Sequence, residues 1–366
     1  MRMAKAQAAM NDNGLDAMLF CTEAEVRYFS GFRTQFWQSP TRPWYLILPA
    51  SGQPIAIIPD IGAQLMTRTW VQDIRTWSSP DPHDDGVSLV VDALSAYNKV
   101  GLPMGEEASL RIPLNDFLTV KDRSGVQFCD CSQLIKAIRM IKSEAEIAIL
   151  QEICSIGSRA FEEAGKLFSV GMSLGEAFRA FKISLLKSGA DDVPYLVGAA
   201  GYGGYADVIS PPDSTPLQKG DVLMLDTGST LQGYFCDFDR NFALGYADDD
   251  VRRAYDSLWE STEAGLEVAT AGVRCSDVFS AMQKSLGEVD SAVGRFGHGL
   301  GIQLTEYPSI AAFDHTILQA GMVITLEPSL TFAQGKMMVH EENILITDNA
   351  PVLLTQRASS RLPVIR

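Results

Sequence analysis

The stretch DVLMLDTGSTLQGYFCDFDRN, residues 221–241, carries two aspartates that each follow an apolar run. Asp226 follows the run 222–225, and Asp237 lies eleven positions further on. Two apolar runs joined by a polar segment that contains glycine predict a β-hairpin. Successive side chains of a strand point to opposite faces, so Asp237 and Asp239 are expected to share one face. The hairpin is therefore predicted to gather acidic side chains on one side.

Three further residues downstream occupy positions marked by glycine or proline. His298 stands within GHGLG, residues 297–301, whose glycines let the backbone approach a ligand closely. Glu327 lies between an apolar run and a proline, which ends a regular strand, and Glu341 opens the next strand-like segment. Carboxylates with one imidazole suit Mn²⁺, Fe²⁺, Co²⁺ or Zn²⁺. Together with the two aspartates, these residues provide the ligands that a two-metal hydrolase site needs.

The order and spacing of this set closely resemble the pita-bread metallohydrolases, which include methionine aminopeptidase, aminopeptidase P, prolidase and creatinase. Segments 14–19 and 26–32 resemble the start of a creatinase-type N-terminal domain, and segment 141–147 resembles the entry into the catalytic domain. The resemblance implies an α/β (α+β) fold, with a creatinase-like α/β domain over 1–138 and a pita-bread domain over 139–366. The second domain is expected to contain a curved antiparallel sheet flanked by helices, and hydrophobic periodicity predicts those helices over 143–167, 173–188, 249–269 and 275–286.

The resemblance also assigns roles to the five residues. It implies two divalent metal ions per subunit (Mn²⁺, Co²⁺, Fe²⁺ or Zn²⁺), one chelated by Asp226, the other by His298 and Glu327, with Asp237 and Glu341 bridging both. Glu327 is also the candidate for the proton shuttle to the leaving amine. Glu342 competes with Glu341 for the bridging role. We choose Glu341 because its distance in sequence from Thr347 matches the family pattern.

The sequence departs from the family at positions that contact the substrate. Where the peptidases carry two additional histidines, this chain has Ile209 and Thr305, and where proline-specific members often carry an arginine it has Val339. Groups that usually hold the peptide carbonyl and carboxylate are therefore missing. Asp239 replaces a family threonine and places an extra carboxylate on the metal-facing side of its strand. It is a candidate catalytic residue, with a salt bridge or hydrogen bond in place of the threonine's as the alternative.

The remaining candidates are aromatic, polar or histidine side chains. The substrate-binding candidates are Tyr195, Tyr202, Thr305, Tyr307 and Trp37. Trp37 lies in an aromatic and basic early loop that, in the homodimer implied by the resemblance, borders the pocket of the partner subunit. His340 alternates away from Glu341 and is expected to be structural. It stays a catalytic candidate because a neighbouring turn would let it line the pocket.

Composition limits the classes of partner. The chain of 366 residues is long enough for two domains. A net charge of −15 disfavours nucleic acid and anionic membranes, because like charges repel. The N-terminus lacks an apolar stretch of signal-peptide length, and no segment approaches the ~20 apolar residues of a membrane span. The six cysteines have no disulfide-framework spacing. A cytoplasmic enzyme acting on a small molecule or short peptide is the simplest interpretation.

Three functions remain open from the sequence. The first is a dinuclear metal hydrolase that cleaves an amide bond in a dipeptide, an Xaa-Pro peptide or a peptide-like small molecule, in the manner of an Xaa-Pro aminopeptidase or dipeptidase. The second keeps the metals but acts on a non-peptide metabolite, like ectoine hydrolases or dimethylsulfoniopropionate lyases, and loss of the peptide-binding histidines favours it. The third is a catalytically silent binding module, which is disfavoured because a binder does not need five ligands in register.

Overall fold

The computed structural model describes residues 2–39, 42–287, 294–333 and 335–366. The chain divides into two compact units, Met1–Arg139 and Met140–Arg366. Each unit has its own sheets and its own apolar core. In the described part of the chain, no helix is both long enough and apolar enough to cross a membrane.

The first unit is built on one mixed sheet. Its helices are α1 (Arg2–Asp12), α2 (Glu23–Ser30), α3 (Ala63–Met66), α4 (Val87–Leu94), α5 (Leu114–Ser124) and α6 (Ser132–Met140), with 3-10 turns at Gln35–Gln38 and Asp60–Gly62. Its strands are β1 (Ala17–Phe20), β2 (Tyr45–Pro49), β3 (Ile55–Pro59), β4 (Asp73–Trp77), β5 (Lys99–Leu102) and β6 (Gln127–Asp130). They lie in the order β4-β3-β2-β1-β5-β6.

The pairing of these strands follows from their apolar character. Strands β1, β2 and β3 are buried at every position, as expected for a sheet covered on both faces. Val90 and Leu94 of α4 and Val120 of α5 share one core with Tyr45 and Ile57 of the sheet. Strand β1 runs antiparallel to β2 and parallel to β5. The α/β character predicted for the N-terminal part of the chain is confirmed.

The second unit combines antiparallel sheets with longer helices. The helices are α7 (Glu144–Glu162), α8 (Ala164–Leu167), α9 (Leu174–Ser188), α10 (Asp249–Val268) and α11 (Cys275–Leu286). The strands are β7 (Asp192–Tyr202), β8 (Asp221–Leu231), β9 (Tyr234–Phe235), β10 (Phe238–Leu244), β11 (His298–Gly299), β12 (Glu306–Ser309), β13 (Val323–Leu326), β14 (Ser329–Ala333), β15 (Lys336–Val339), β16 (Glu342–Leu345), β17 (Val352–Leu353) and β18 (Val364–Ile365). The predicted helix over 143–167 is thus present as two consecutive helices.

The antiparallel sheet predicted for this unit is present as two sheets and a hairpin. One sheet has the order β18-β10-β8-β7, with β9 also paired to β8, and the other has the order β12-β11-β13-β16-β17. Strands β14 and β15 form a separate hairpin, and the parallel pair β10/β18 departs from an otherwise antiparallel arrangement of the described strands of this second unit. Leu258 of α10 and Met282 of α11 pack into the same core as Leu326 and Ile344 of the second sheet.

The predicted acid-bearing hairpin is confirmed. Leu231 at the end of β8 pairs with Tyr234 at the start of β9, so the chain reverses in a two-residue turn and continues into β10. Gln232 and Gly233 in the turn have positive φ angles of 49° and 81°. Two central residues with positive φ give the turn a twist that matches the twist of the flanking strands. The turn therefore fixes the register in which the two acidic segments face each other.

Candidate metal centre

The five predicted metal ligands sit where strands begin, end or are interrupted. Asp226 lies within β8, and Asp237 lies in the short break between β9 and β10. His298 begins β11, which pairs with β13 through Gly299 and Ile324. Glu327 follows β13 and Glu341 precedes β16. Leu326 pairs with Glu342 in the β13/β16 ladder, so one further step of the same register sets Glu327 opposite Glu341.

The structure brings these side chains together. One ligand atom from each of Asp237, His298 and Glu341 lies within 4.8 Å of the others. The Nε2 atom of His298 is 3.4 Å from Oδ2 of Asp237 and 3.8 Å from Oε2 of Glu327. Asp226 accepts a hydrogen bond from the side chain of Tyr195, and its charge interacts with that of Glu327. The predicted set is therefore one local cluster.

Burial makes the cluster unfavourable for bare negative charge. Desolvation, and after it the charge of Glu327, raise the pKa of Asp226 to about 8. Desolvation also raises the pKa of Glu327 to about 7, and it holds the pKa values of Asp237 and Glu341 well above their ordinary range. Neighbouring carboxylates add to the effect on the last two acids. A cation bound here would displace protons, so metal binding and proton release are coupled.

The imidazole of His298 has the form that a metal requires. Its Nδ1 atom lies 2.9 Å from the carbonyl oxygen of Gly299. Since a carbonyl only accepts, Nδ1 carries the hydrogen and Nε2 presents a lone pair toward the carboxylates. Burial lowers the pKa of His298 to about 4, which keeps the ring neutral. A backbone carbonyl that fixes the tautomer is the usual support for a metal-bound histidine.

Buried carboxylate oxygens without hydrogen-bond partners are further evidence that a cation fits this site. Oδ1 of Asp226, Oδ1 of Asp239 and Oε1 of Glu341 are buried without a hydrogen-bond partner among the described residues. An orphaned buried oxygen is costly, and a lone pair of His298 facing carboxylate oxygens is equally unfavourable without a positive charge between them. A divalent cation would satisfy the orphaned oxygens and the lone pair of His298 together. Oxygen donors with one imidazole suit Mn²⁺, Fe²⁺, Co²⁺ or Zn²⁺. The residues present therefore fit the metals that were predicted.

Glu341 and Glu342 are adjacent in sequence but have opposite surroundings. Glu341 is 1% exposed and belongs to the acidic cluster. Glu342 is fully buried, with Oε2 2.9 Å from Nη2 of Arg240 and Oε1 3.1 Å from Nη1 of Arg357. Burial favours the neutral acid, but Arg240, His340 and Arg357 outweigh it and the pKa of Glu342 is lowered. Glu341 is thus the acid that the structure offers to a metal.

Asn343 holds Asp237 in place. Because Asp237 lies in a break between strands, the side chain of Asn343 supplies backbone hydrogen bonds that a neighbouring strand would otherwise provide. Oδ1 of Asn343 accepts a hydrogen bond of 3.0 Å from the backbone N–H of Asp237, and its Nδ2 donates to the carbonyl oxygen of Asp237. Asn343 follows Glu341 by two residues, so this contact links the two residues proposed to bridge the metals.

Close backbone packing around His298 explains its flanking glycines. A Cβ atom at Gly297, whose φ is 142°, would lie 2.1 Å from the carbonyl oxygen of Thr325. A Cβ atom at Gly299 would lie 2.3 Å from the carbonyl oxygen of Tyr307. Neither position has space for a side chain. The glycines therefore let β11 fit between its neighbours and carry His298 to the cluster.

The other two catalytic candidates are placed differently from each other. Asp239 is buried and lies directly opposite Asp226 in the β8/β10 ladder. The structure does not bring His340 to the acidic cluster. Its Nδ1 atom is 3.0 Å from the hydroxyl of Thr262, and its Nε2 atom is 3.3 Å from Nη1 of Arg357. Both ring nitrogens therefore have partners away from the predicted metal ligands.

The predicted substrate-binding residues are also divided. Tyr195 hydrogen-bonds Asp226 and lies at the cluster. Tyr202 is 61% exposed and contacts the hydroxyl of Tyr246. The hydroxyl of Tyr307 contacts Asp314 and Thr316, and Thr305 is half-buried just before β12. Trp37 is 7% exposed within the first unit, with its ring centroid 5.8 Å from that of Trp44.

Arg295 is a residue at the cluster that the sequence analysis did not single out. It is half-buried and lies three positions before His298. Its charge lowers the pKa values of Glu327 and Asp237, so it is close enough to act on both carboxylates. The available signal was a basic residue next to the glycine-flanked histidine of a strongly acidic chain. It places a positive charge beside the candidate metal ligands.

Comparison with known proteins agrees with this geometry. Residues 148–348 match Metallopeptidase family M24, and residues 2–141 match the Creatinase/Prolidase N-terminal domain. The chain therefore belongs to metallopeptidase family M24 and is a metallopeptidase-like hydrolase. The resemblance to pita-bread metallohydrolases is confirmed.

Several similar proteins are dipeptidases by name. The chain is 26% identical over 357 residues to the probable dipeptidase PepE of Mycobacterium bovis, covering 96% of this chain and 92% of that one. It is 24% identical over 360 residues to the Xaa-Pro dipeptidase of Pyrococcus furiosus, covering 97% of each. The crystal structure of dipeptidase PepE from Mycobacterium ulcerans superimposes with a TM-score of 0.86 at 25% identity, covering 100% of this chain and 97% of that one. The two-domain α/β architecture is shared with these relatives.

Proposed function

We propose that this protein is a dinuclear metal-dependent dipeptidase that hydrolyses the amide bond of short peptides, with Xaa-Pro dipeptides as the first substrates to test. The observation that carries the proposal is the cluster in which half-buried Asp226 and Glu327 lie beside buried Asp237, His298 and Glu341, with orphaned oxygens on Asp226 and Glu341. Family membership and the names of the relatives support a peptide substrate.

The cluster residues have separate tasks in this reaction. Two divalent cations held by the five ligands would supply an activated water and polarise the scissile carbonyl. Glu327 is suited to move a proton to the leaving amine, because its side chain is 31% exposed and its pKa is raised to about 7. The hydroxyl of Tyr195 orients Asp226, and Asn343 fixes Asp237.

Substrate recognition differs from that of the family peptidases. Ile209 is 76% exposed and Val339 is buried, so neither supplies the charged or imidazole group expected there. Arg295 instead places a positive charge beside Glu327 and Asp237. A substrate with a carboxylate near the scissile bond, such as a dipeptide, would complement that charge.

The proposal is tested by metal content together with peptide cleavage. Protein purified without chelator is analysed for bound metals, then assayed on Xaa-Pro and other dipeptides before and after addition of Mn²⁺, Co²⁺ or Zn²⁺. Asp237→Asn is the inactive variant. Asp221→Asn is the matched control, because Asp221 is a buried acid of the same hairpin that accepts a hydrogen bond of 2.7 Å from Gln218 outside the cluster.

The outcomes separate the candidate functions. About two metals per chain with metal-dependent cleavage would support the dipeptidase. Two metals without cleavage of any dipeptide would move the assignment to a hydrolase or lyase of a non-peptide metabolite. Absence of bound metal under every loading condition would overturn the proposal.

The homodimer implied by the family resemblance belongs to the same proposal. Light scattering of the purified protein at several concentrations gives its mass directly. A monomer at all concentrations that retained full activity would exclude a partner's contribution through Trp37. The variant Arg42→Ala, in the same early loop, then tests whether that loop affects substrate choice without removing the buried ring of Trp37.

A further inference from the structure

Asp239 is a buried carboxylate in an electrostatically unfavourable position. In the β8/β10 ladder it lies directly opposite Asp226. Side chains directly opposite each other share one face, with Cβ atoms about 4.5–5.5 Å apart, and like charges in such pairs are destabilising. Asp239 is only 2% exposed, so water does not screen this repulsion. A carboxylate in this position requires a compensating positive charge.

A buried hydrogen-bond network fixes one oxygen of this carboxylate. Nδ2 of Asn241 donates to Oδ2 of Asp239 at 2.7 Å and to the carbonyl oxygen of Val339 at 2.7 Å. Oδ1 of Asn241 accepts from the hydroxyl of Tyr205 at 3.0 Å, and that hydroxyl accepts from the N–H of Val339 at 2.9 Å. The network holds the carboxylate in one orientation.

The second oxygen is left without a partner. Oδ1 of Asp239 is buried and accepts no hydrogen bond from the described residues. The neighbouring Arg240 alternates to the other face of the strand, where it binds Glu342 and the carbonyl oxygen of Glu341. Of the two alternatives considered from the sequence, the hydrogen bond is present, from Asn241 to Oδ2, whereas Arg240 forms no salt bridge with Asp239. Oδ2 of Asp239 is therefore held by Asn241, whereas Oδ1 has no partner and belongs to a side chain on the same face as Asp226.

We propose that Asp239 is a further metal ligand, whose Oδ1 joins Asp226 in holding the same divalent cation. The inference rests on the proposed function, because it adds a carboxylate to the metal centre described there. The four carboxylates of the family set balance the charge of two dications, so Asp239 adds one negative charge in excess. An extra oxygen donor with a full charge favours a hard cation such as Mn²⁺ over Zn²⁺, which is better served by imidazole.

Two measurements on metal-free protein test this role without relying on catalysis. Mn²⁺ and Zn²⁺ affinities are measured by competition with a chelator, and melting temperatures are measured with and without metal. Asp239→Asn keeps the shape of the side chain and can still accept from Asn241. Asp221→Asn is the matched control, and Asp237→Asn reports loss of a ligand in the family set.

The expected effects of Asp239→Asn have opposite signs in the two states. Without metal, the variant melts at a higher temperature than the wild type, because its amide does not carry the charge that burial opposite Asp226 disfavours. With metal, Mn²⁺ affinity falls about 10–100-fold and Zn²⁺ affinity falls less, so the metal-induced rise in melting temperature shrinks. Asp221→Asn leaves both affinities unchanged.

The opposite result has a clear signature. Unchanged Mn²⁺ affinity, together with a lower melting temperature of the metal-free variant, would show that Asp239 only supports the Asn241 network and would overturn the inference. The variant Asp239→Thr gives a second test with the family's own residue type. Wild-type protein that bound no metal would overturn the proposed function itself, whereas tight binding by both wild type and Asp239→Asn would overturn only this inference.

Discussion

Replacement of Glu342 by glutamine tests how the structure separates two adjacent acids. Glu342 is fully buried and accepts from four donors: Arg240, Arg357, the hydroxyl of Thr355 and the N–H of Ala358. Each carboxylate oxygen accepts from two of these donors. An amide has one oxygen, so two donors would face the amide NH₂ group. Glu342→Gln therefore leaves two buried cationic groups without their full counter-charge.

The size of the effect follows from the burial of this pair. Removal of one partner of a buried ion pair costs about 3–5 kcal/mol, because the remaining charge stays desolvated. In a unit of this size, a loss of 1 kcal/mol lowers the melting temperature by about 2–4 °C. We therefore expect the melting temperature of Glu342→Gln to fall by about 6–20 °C. Its metal stoichiometry should be unchanged at temperatures where it is folded, because Glu342 does not face the cluster.

Two matched variants make the assay decisive. Glu263→Gln removes the other carboxylate bound to Arg357, with Oε1 2.7 Å from Nε, but its side chain is 37% exposed. A pair this exposed contributes at most about 1 kcal/mol, so the shift should be small. Glu341→Gln should abolish metal binding while its metal-free melting temperature does not fall below that of the wild type. A melting temperature of Glu342→Gln within 2 °C of wild type would refute the reasoning.

Three further predictions follow from the buried groups. In metal-free protein, the free energy of unfolding measured in urea should fall as pH rises from about 4.5 to about 7. The reason is that folded Glu327 keeps a proton that the unfolded chain has released. An increase in stability over that window would contradict the raised pKa. Gly297→Ala should weaken metal binding in the chelator competition and lower the free energy of unfolding by about 1–3 kcal/mol, because its Cβ would lie 2.1 Å from the carbonyl oxygen of Thr325. Gly294→Ala is the control, because its Cβ would meet no atom within 4 Å, and its metal affinity should be unchanged. Trp37→Ala should lower the free energy of unfolding of the first unit by about 3–5 kcal/mol in urea denaturation, because it removes a large buried ring. A variant as stable as the wild type would show that the ring is not part of that core.

Much of the metal centre was predictable because it depends on local sequence. Period-two alternation placed Asp237 and Asp239 on one face, and the glycines around His298 indicated a close backbone approach. The order of acids and the glycine-flanked histidine also identified the family, and the match of residues 148–348 confirms that family. These features are encoded within short segments, so each could be recognised before the segments were brought together.

The partners of each side chain were not predictable in the same way. Sequence spacing favoured Glu341 over Glu342 only through the family pattern, whereas the physical difference between the two acids comes from Arg240 and Arg357, which belong to other segments of the chain. Alternation along the strand indicated that His340 points away from Glu341, but the partner that holds its ring, Thr262 of α10, could not be read from the sequence.

The sequence by itself determined the family, the two-domain α/β class, the acid-bearing hairpin and the composition of the candidate ligand set. Only the tertiary structure decided that Asp226 faces Asp239 across the ladder, that Asn343 holds Asp237, and that Arg295 places a positive charge at the cluster. The physical reason is that strand periodicity and turn chemistry act over a few neighbouring residues. Burial, charge pairing and hydrogen bonding between distant segments depend on the register in which the sheets assemble.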